Sequence, residues 1–283
     1  MNLSIASTDL RTQLTLRSSL LFRPDSHAGH IQALAEVLGQ ITGISVQDDP
    51  SNWKSIALDT GVAISPQQAA KCLLEMQRSR IFMQGVAQAI ADKVQTASTV
   101  DILYAGTGPY GLLLLPYLAA FPASPVRVTL LDIHEDNIVA IKTLVDLLQL
   151  QDKVETIMCA DASRWMPPEG RYFDLVVSET MNTLLRREPQ VWIFSHLQQF
   201  LKSDGHLIPQ KIQLQAWLSS TRQAASSDFL LGDFFVLDRD SALRLQLGDY
   251  SLLNGEISLP DPCPQHDCLK LTTDILVYEG FHL

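Results

Sequence analysis

The 283-residue sequence predicts an α/β fold: a parallel sheet covered by helices, with an N-terminal helical region and a short β-rich C-terminal region. Three observations carry this expectation. Between about residues 100 and 210, short apolar runs of strand length alternate with segments of helical period, the arrangement that yields a parallel sheet buried on both faces. Up to residue 95 apolar residues recur at helical spacing, and over the last ~60 residues that spacing fades while turn signals multiply. These shifts divide the chain into a mainly helical region (1–95), an α/β domain (96–215) and a β-rich region (216–283).

Each element has a local reason. Ser65-Pro66 marks a helix start, a serine cap with proline at the first helical position. After it, Ala69, Leu73, Met76, Ile81, Met83, Val86 and Ile90 keep helical spacing over one or two helices. A strand is expected from Val100 to Ala105, then a glycine-rich turn, then a helix over residues 112–121. Val126 to Asp132 reads as the second strand and Glu135 to Leu150 as an amphipathic helix. Two further strands end at Asp161 and Glu179, a helix covers roughly 191–202, and residues 205–218 carry two more strand-like runs. Asn254-Gly255 and Pro260 to Pro264 are turn signals in the tail.

Composition narrows the function. Apolar residues make up 46% and charged residues 18%, the balance of a soluble globular protein. With 31 acidic against 21 basic residues, a net charge of −10 argues against nucleic acid or an anionic membrane as partner and suits a cationic substrate. No signal-peptide pattern and no membrane-length apolar run is present, so a cytoplasmic location is expected. The four cysteines read as reduced thiols; Cys263 and Cys268 flank His266, but no second ligand pair accompanies them, so no metal is expected.

Gly106-Thr107-Gly108-Pro109-Tyr110-Gly111 is a GxGxxG that follows a strand and opens a helix. The first glycines allow a sharp turn and close backbone approach to a ligand, and the last permits tight helix–strand packing. Asp132 ends the second strand 26 positions after Gly106, where a carboxylate can accept both hydrogens of a ribose diol. To this point a nicotinamide dinucleotide and an adenosyl sulfonium fit equally. Asp161, with the backbone amide that follows it, can read an adenine edge, which favours the sulfonium. Glu179 at the end of the fourth strand stands where open α/β sheets bind ligands.

Taken together, the stretches around Gly106–Gly111, Asp132, Asp161 and Glu179 resemble the class I S-adenosylmethionine-dependent methyltransferases, whose sheet is Rossmann-like. Within that class, residues 178–214 are similar to the protein arginine methyltransferases. The resemblance covers about residues 78 to 218. It implies S-adenosyl-L-methionine as cofactor, bound by Arg78 (methionine carboxylate), Gly106, Thr107, Gly108, Gly111, Asp132, Ile133, Asp161 and Ala162. It also implies that Glu179 and Glu188, nine residues apart, are the catalytic pair. Departures are the replacement of the family's aromatic pair by Thr180 and Asn182, the lack of its threonine-histidine-tryptophan loop, and a short tail.

Two carboxylates can grip a guanidinium through parallel charge-assisted hydrogen bonds and later take its proton. The expected activity is therefore N-methylation of a guanidino group (arginine, free or in a peptide, or a small molecule), by an enzyme for which a homodimer is the assembly considered. Alternatives are a small-molecule O- or N-methyltransferase without the clamp, a dinucleotide-dependent oxidoreductase, and a non-catalytic binding partner. Glu188 also has a bland reading, a surface pair with Arg186 or Arg187. His134 is placed beside the adenine or as a plain turn histidine, Trp165 and Met166 on the adenine face or in the core, and Tyr104 and Tyr110 in packing roles.

Overall fold

The structure, a computed structural model, describes residues 2–23, 25–47, 54–187, 189–222, 228–261 and 265–283. Helices α1 (Asn2–Leu21) and α2 (Ala28–Thr42) come first, α2 ending at Gly43 in the left-handed conformation. The strands β1 (Ile56–Leu58) and β2 (Gly61–Ala63) then form an antiparallel hairpin inside the region expected to be helical. Helix α3 (Pro66–Cys72) begins as expected: Ser65 Oγ accepts from Gln68 N, and the Gln68 side chain returns a bond to Ser65 N. This reciprocal cap satisfies two backbone donors that a helix start otherwise leaves open. Helix α4 (Met76–Val94) follows.

The centre of the molecule is a five-stranded sheet of β3 (Val100–Ala105), β4 (Val126–Asp132), β5 (Val154–Cys159), β6 (Phe173–Ser178) and β7 (Leu201–Ile208). Its spatial order is β5-β4-β3-β6-β7, with every pairing parallel. Each residue of β3 and β6 is buried, which is why both read as apolar runs, broken only near their starts by Asp101 and Asp174 and at the end of β6 by Ser178, rather than as alternating ones. Helices α5 (Leu115–Ala120), α6 (Glu135–Leu148) and α7 (Gln190–Leu197) connect the strands. Helices α1 and α2 pack on each other, α1 also on α5 and α2 on α6. Helix α5 is shorter than expected, because residues 108–114 form turns before Pro116 lets the helix begin.

Beyond the parallel sheet, β8 (Lys211–Ser219), β9 (Phe229–Leu237), β10 (Cys268–Tyr278) and β11 (Phe281–His282) form an antiparallel sheet in the order β11-β10-β8-β9. The tail is thus β-rich, as expected, but it also holds α8 (Arg239–Gln246), capped by Asp238. Helix α4 packs against β3 and β6 and also against β10, joining the two sheets. The start of the parallel sheet carries an ionic network in which two buried carboxylates meet more exposed cations: Asp101 meets Arg127 at 2.7 Å and Lys202 at 3.0 Å, and Asp174 meets Lys202 at 2.7 Å. No helix among the described residues is long and apolar enough to cross a membrane.

Candidate functional site

In a parallel sheet every strand delivers its C-terminal end to the same edge. The chain winds outward through β4 and β5 and then returns to the other side of β3 with β6 and β7, which opens a crevice beside β3 at that edge. The register places Ala105 level with Leu131 and with Ser178, so the segments after β3, β4 and β6 meet there. They surround a cavity of about 320 Å³, within the usual range for a small-ligand site.

Arg78, Gly106, Thr107, Gly108, Asp132, Ile133, Asp161, Ala162 and Glu179 all line this cavity. Gly111 does not. A Cβ at Gly111 would sit 2.7 Å from Leu115 Cγ and 3.0 Å from Ile141 Cδ1, so this glycine serves the packing of α5 and α6. Glu188 lies outside the described residues, as does Cys263. Cys268 forms no disulfide, and among the described residues no group of three or more potential ligands is placed to hold a metal ion.

Gly106 and Gly108 adopt φ of +73° and +59°, a conformation costly for other residues. The turn they form is tied to Asp132. Its Oδ2 accepts from Gly108 N at 2.8 Å and, more loosely, from Thr107 Oγ1 at 3.4 Å. Its Oδ1 accepts from His134 N at 2.9 Å and Asn137 Nδ2 at 3.0 Å. Asp132, only 5% exposed, therefore fastens the glycine turn to the start of α6 as well as lining the cavity. Asp161 Oδ1 accepts from Ser163 N and Ser163 Oγ, a turn-closing role that leaves Oδ2 with a distant ion pair to Arg164 at 4.0 Å.

Arg78 and Glu179, expected on separate ligands, meet each other. Arg78 Nη2 pairs with Glu179 Oε1 and donates to Met181 O at 3.0 Å, while Nη1 donates to Glu75 Oε2 at 3.1 Å. The loop after Glu179 is held by Gln190, fully buried at the start of α7. Its Oε1 accepts from Thr180 N at 2.7 Å and Thr180 Oγ1 at 2.9 Å, and its Nε2 donates to Ser178 O. Leu184 and Leu185 in the same loop have positive φ of 61° and 53°, backbone strain of the kind that gathers at functional sites.

Among the described residues, four buried polar atoms on cavity residues lack a hydrogen-bond partner: Glu179 Oε1, which has its ion pair with Arg78, and Arg78 Nε, His134 Nε2 and Asn137 Oδ1. Leaving such an atom dry costs about 1–3 kcal/mol, and these belong to side chains that line the cavity. Sequence reasoning missed Asn137, Glu75 and Gln190. It also missed the β1–β2 hairpin, whose Leu58, Val62 and Ala63 cover the cavity and whose Val62 N donates to Arg187 O at 2.7 Å. Its two-residue turn, Asp59-Thr60, is not one of the glycine-containing dipeptides that signal a hairpin, and only Gly61 just after it is suggestive of a turn. Tyr104 lines the cavity with its pKa raised above the usual phenol range by burial, the charge of Asp132 adding to the effect; it stays a neutral hydroxyl. Tyr110 packs, donating to Ile44 O at 2.6 Å. Trp165 is half-buried against the core and Met166 is 63% exposed, and neither lines the cavity.

No protein-family model and no curated protein matches the sequence. Among solved structures, the chain is similar to an Arabidopsis thaliana protein arginine methyltransferase 10 in an open conformation, at 19% identity and a TM-score of 0.40. The match covers 50% of this chain and 39% of that one, so this chain spans well under half the length of that protein.

Proposed function

We propose that the chain is an S-adenosylmethionine-dependent methyltransferase whose acceptor is a guanidino nitrogen. One observation supports this above all: residues from α4 and from the ends of β3, β4, β5 and β6 converge on one cavity that retains unpartnered polar atoms. Arg78 Nε, a free donor on a guanidinium, suits the methionine carboxylate. Asn137 Oδ1 is a free acceptor beside Asp132, and the long Thr107 contact is the Asp132 bond that a ribose hydroxyl most readily replaces. Asp161 Oδ2 and the amide of Ala162 suit an adenine edge. When bound, the cofactor supplies an electrophilic methyl whose bond to sulfur breaks as the acceptor's nitrogen–carbon bond forms.

The chain's own part is alignment, exclusion of water and handling of charge. A guanidinium is a poor nucleophile because its charge is delocalised and its pKa exceeds about 12. Glu179 Oε2 accepts no hydrogen bond among the described residues and so can take two roles, drawing positive charge toward itself and receiving the proton released on methylation. In this reading Glu188 is the second carboxylate. The hairpin and the loop after Glu179 contribute walls to the cavity and so limit the access of water to it.

The geometry disfavours a dinucleotide. A pyrophosphate is held by the N-terminus of the helix that opens at the last glycine. Here α5 starts four positions beyond Gly111, has six residues and lacks a side-chain cap, so its dipole offers little to a phosphate. Labelled methyl transfer to a panel of guanidines, amines and phenols tests the proposal. Turnover of guanidines is the expected result; label on phenols alone contradicts the acceptor assignment.

A further inference from the structure

A second cavity, of about 440 Å³, adjoins the first. The two share Glu75, Arg78, Met181, Asn182 and Thr183. Arg78, fixed by Glu75, Met181 O and Glu179, therefore forms part of a partition with a cavity on either side. One guanidinium faces two carboxylates there, so the partition carries a net charge of −1.

Away from the partition the second cavity has no charged side chain and is more apolar than polar, with Met76, Ile275 and Leu283 in its walls beside Gln77 and Thr273. Side chains two apart on a strand share a face, so Ile275 and Thr273 are continued along β10 by Leu271 and Leu269. The register sets Ala216 and Leu218 on β8 opposite these two leucines. Leu271 is 43% exposed and Leu269 53%, so the apolar face extends outward beyond the cavity. Asp274 lies on the other face of the strand by the same alternation. An arginine-rich peptide would find no acidic track here.

We propose that the acceptor enters through this second cavity and is a cationic amphiphile: a guanidinium or amine head at Glu75 and Glu179, on an apolar stem that lies along Ile275, Leu271 and Leu269. The head assignment deepens the methyl-transfer reading; the stem assignment stands on the second cavity alone.

Calorimetry with ethyl-, butyl- and octylguanidinium below their aggregation concentrations, with and without S-adenosylhomocysteine, tests it. Octylguanidinium is expected to bind at least about tenfold tighter than butylguanidinium, since four added methylenes leave water at least in part. Leu271→Ser, at an exposed position, is expected to remove that gain while leaving ethylguanidinium affinity unchanged. Glu75→Gln, also at an exposed side chain, is expected to weaken all three ligands. Affinity independent of chain length, the same gain in Leu271→Ser, or equal binding of octyl sulfate would overturn the proposal. Chain-length dependence in a protein that does not bind S-adenosylhomocysteine would instead sink the methyl-transfer reading and leave the stem site standing. Methylation of ethylguanidine with no gain from longer chains would sink the stem site alone.

Discussion

Replacing Gly106 by alanine probes the turn on which the site is built. At φ +73° the backbone is left-handed, which costs an L-residue about 1–2 kcal/mol. The new Cβ would also stand 2.3 Å from Thr180 Cγ2, where carbon–carbon contact normally begins near ~3.5 Å. Thr180 cannot step aside freely, because its amide and hydroxyl are both bonded to Gln190, itself fully buried. Overpacking of this kind costs about 1–3 kcal/mol. The total expected loss is therefore about 2–5 kcal/mol, read from urea unfolding midpoints at unchanged slope. Gly170→Ala is the control: φ is +75°, yet nothing lies within 4 Å of its Cβ, so only the backbone term remains. Thr180→Ser removes the obstructing methyl while keeping the hydroxyl, and in the Gly106→Ala background it should restore about 1–3 kcal/mol. A Gly106→Ala protein no less stable than Gly170→Ala, or a double variant with no recovery, would refute the reasoning.

Asp132→Asn converts one acceptor oxygen into a donor facing backbone N–H groups or Asn137. With charge-assisted bonds at about 1.5–3 kcal/mol each, a loss of about 3 kcal/mol in thermal or urea unfolding is expected, together with loss of S-adenosylhomocysteine binding. Glu179→Gln should abolish methyl transfer while retaining S-adenosylhomocysteine affinity, and a variant with more than about a tenth of wild-type turnover contradicts its role as the carboxylate that takes the proton. At the far end of the sheet, burial alone would raise the pKa of Asp101. The hydrogen bonds from Arg127 and Lys202 and the charges of Arg171 and Lys202 outweigh it and hold the group below its ordinary 3.8. A depressed folded-state pKa adds stability that is fully present above the unfolded value and is lost as pH falls through the folded one. The stability gap between wild type and Asp101→Asn should thus be constant from pH 7 to about 5 and shrink below pH 4; a gap that widens on acidification contradicts the pairing.

Local signals in the sequence carried much of this arrangement and stopped where partners are distant in the chain. Strands β3 and β6 were legible because complete burial leaves an apolar run, and α3 because its cap is a contact across three residues. The β1–β2 hairpin escaped because two three-residue strands are too short to show a period. The single helix expected over residues 112–121 overlooked that a turn can precede Pro116. At the site, the carboxylates at strand ends were found by position alone. The pairing of Arg78 with Glu179 and Met181 was not, since it joins groups about a hundred residues apart whose meeting depends on how α4 packs beside β6. Asn137 gave no signal either: its free oxygen matters only because its amide nitrogen is spent on Asp132.

The central claim is that the crevice beside β3 holds an adenosyl donor. Calorimetric titration of the purified protein with S-adenosylhomocysteine and, separately, with NAD tests it most directly. Saturable one-to-one binding of S-adenosylhomocysteine, weakened at least tenfold in Arg78→Ala, with no heat from NAD, is the predicted result. Binding of NAD without S-adenosylhomocysteine, or of neither, would contradict it.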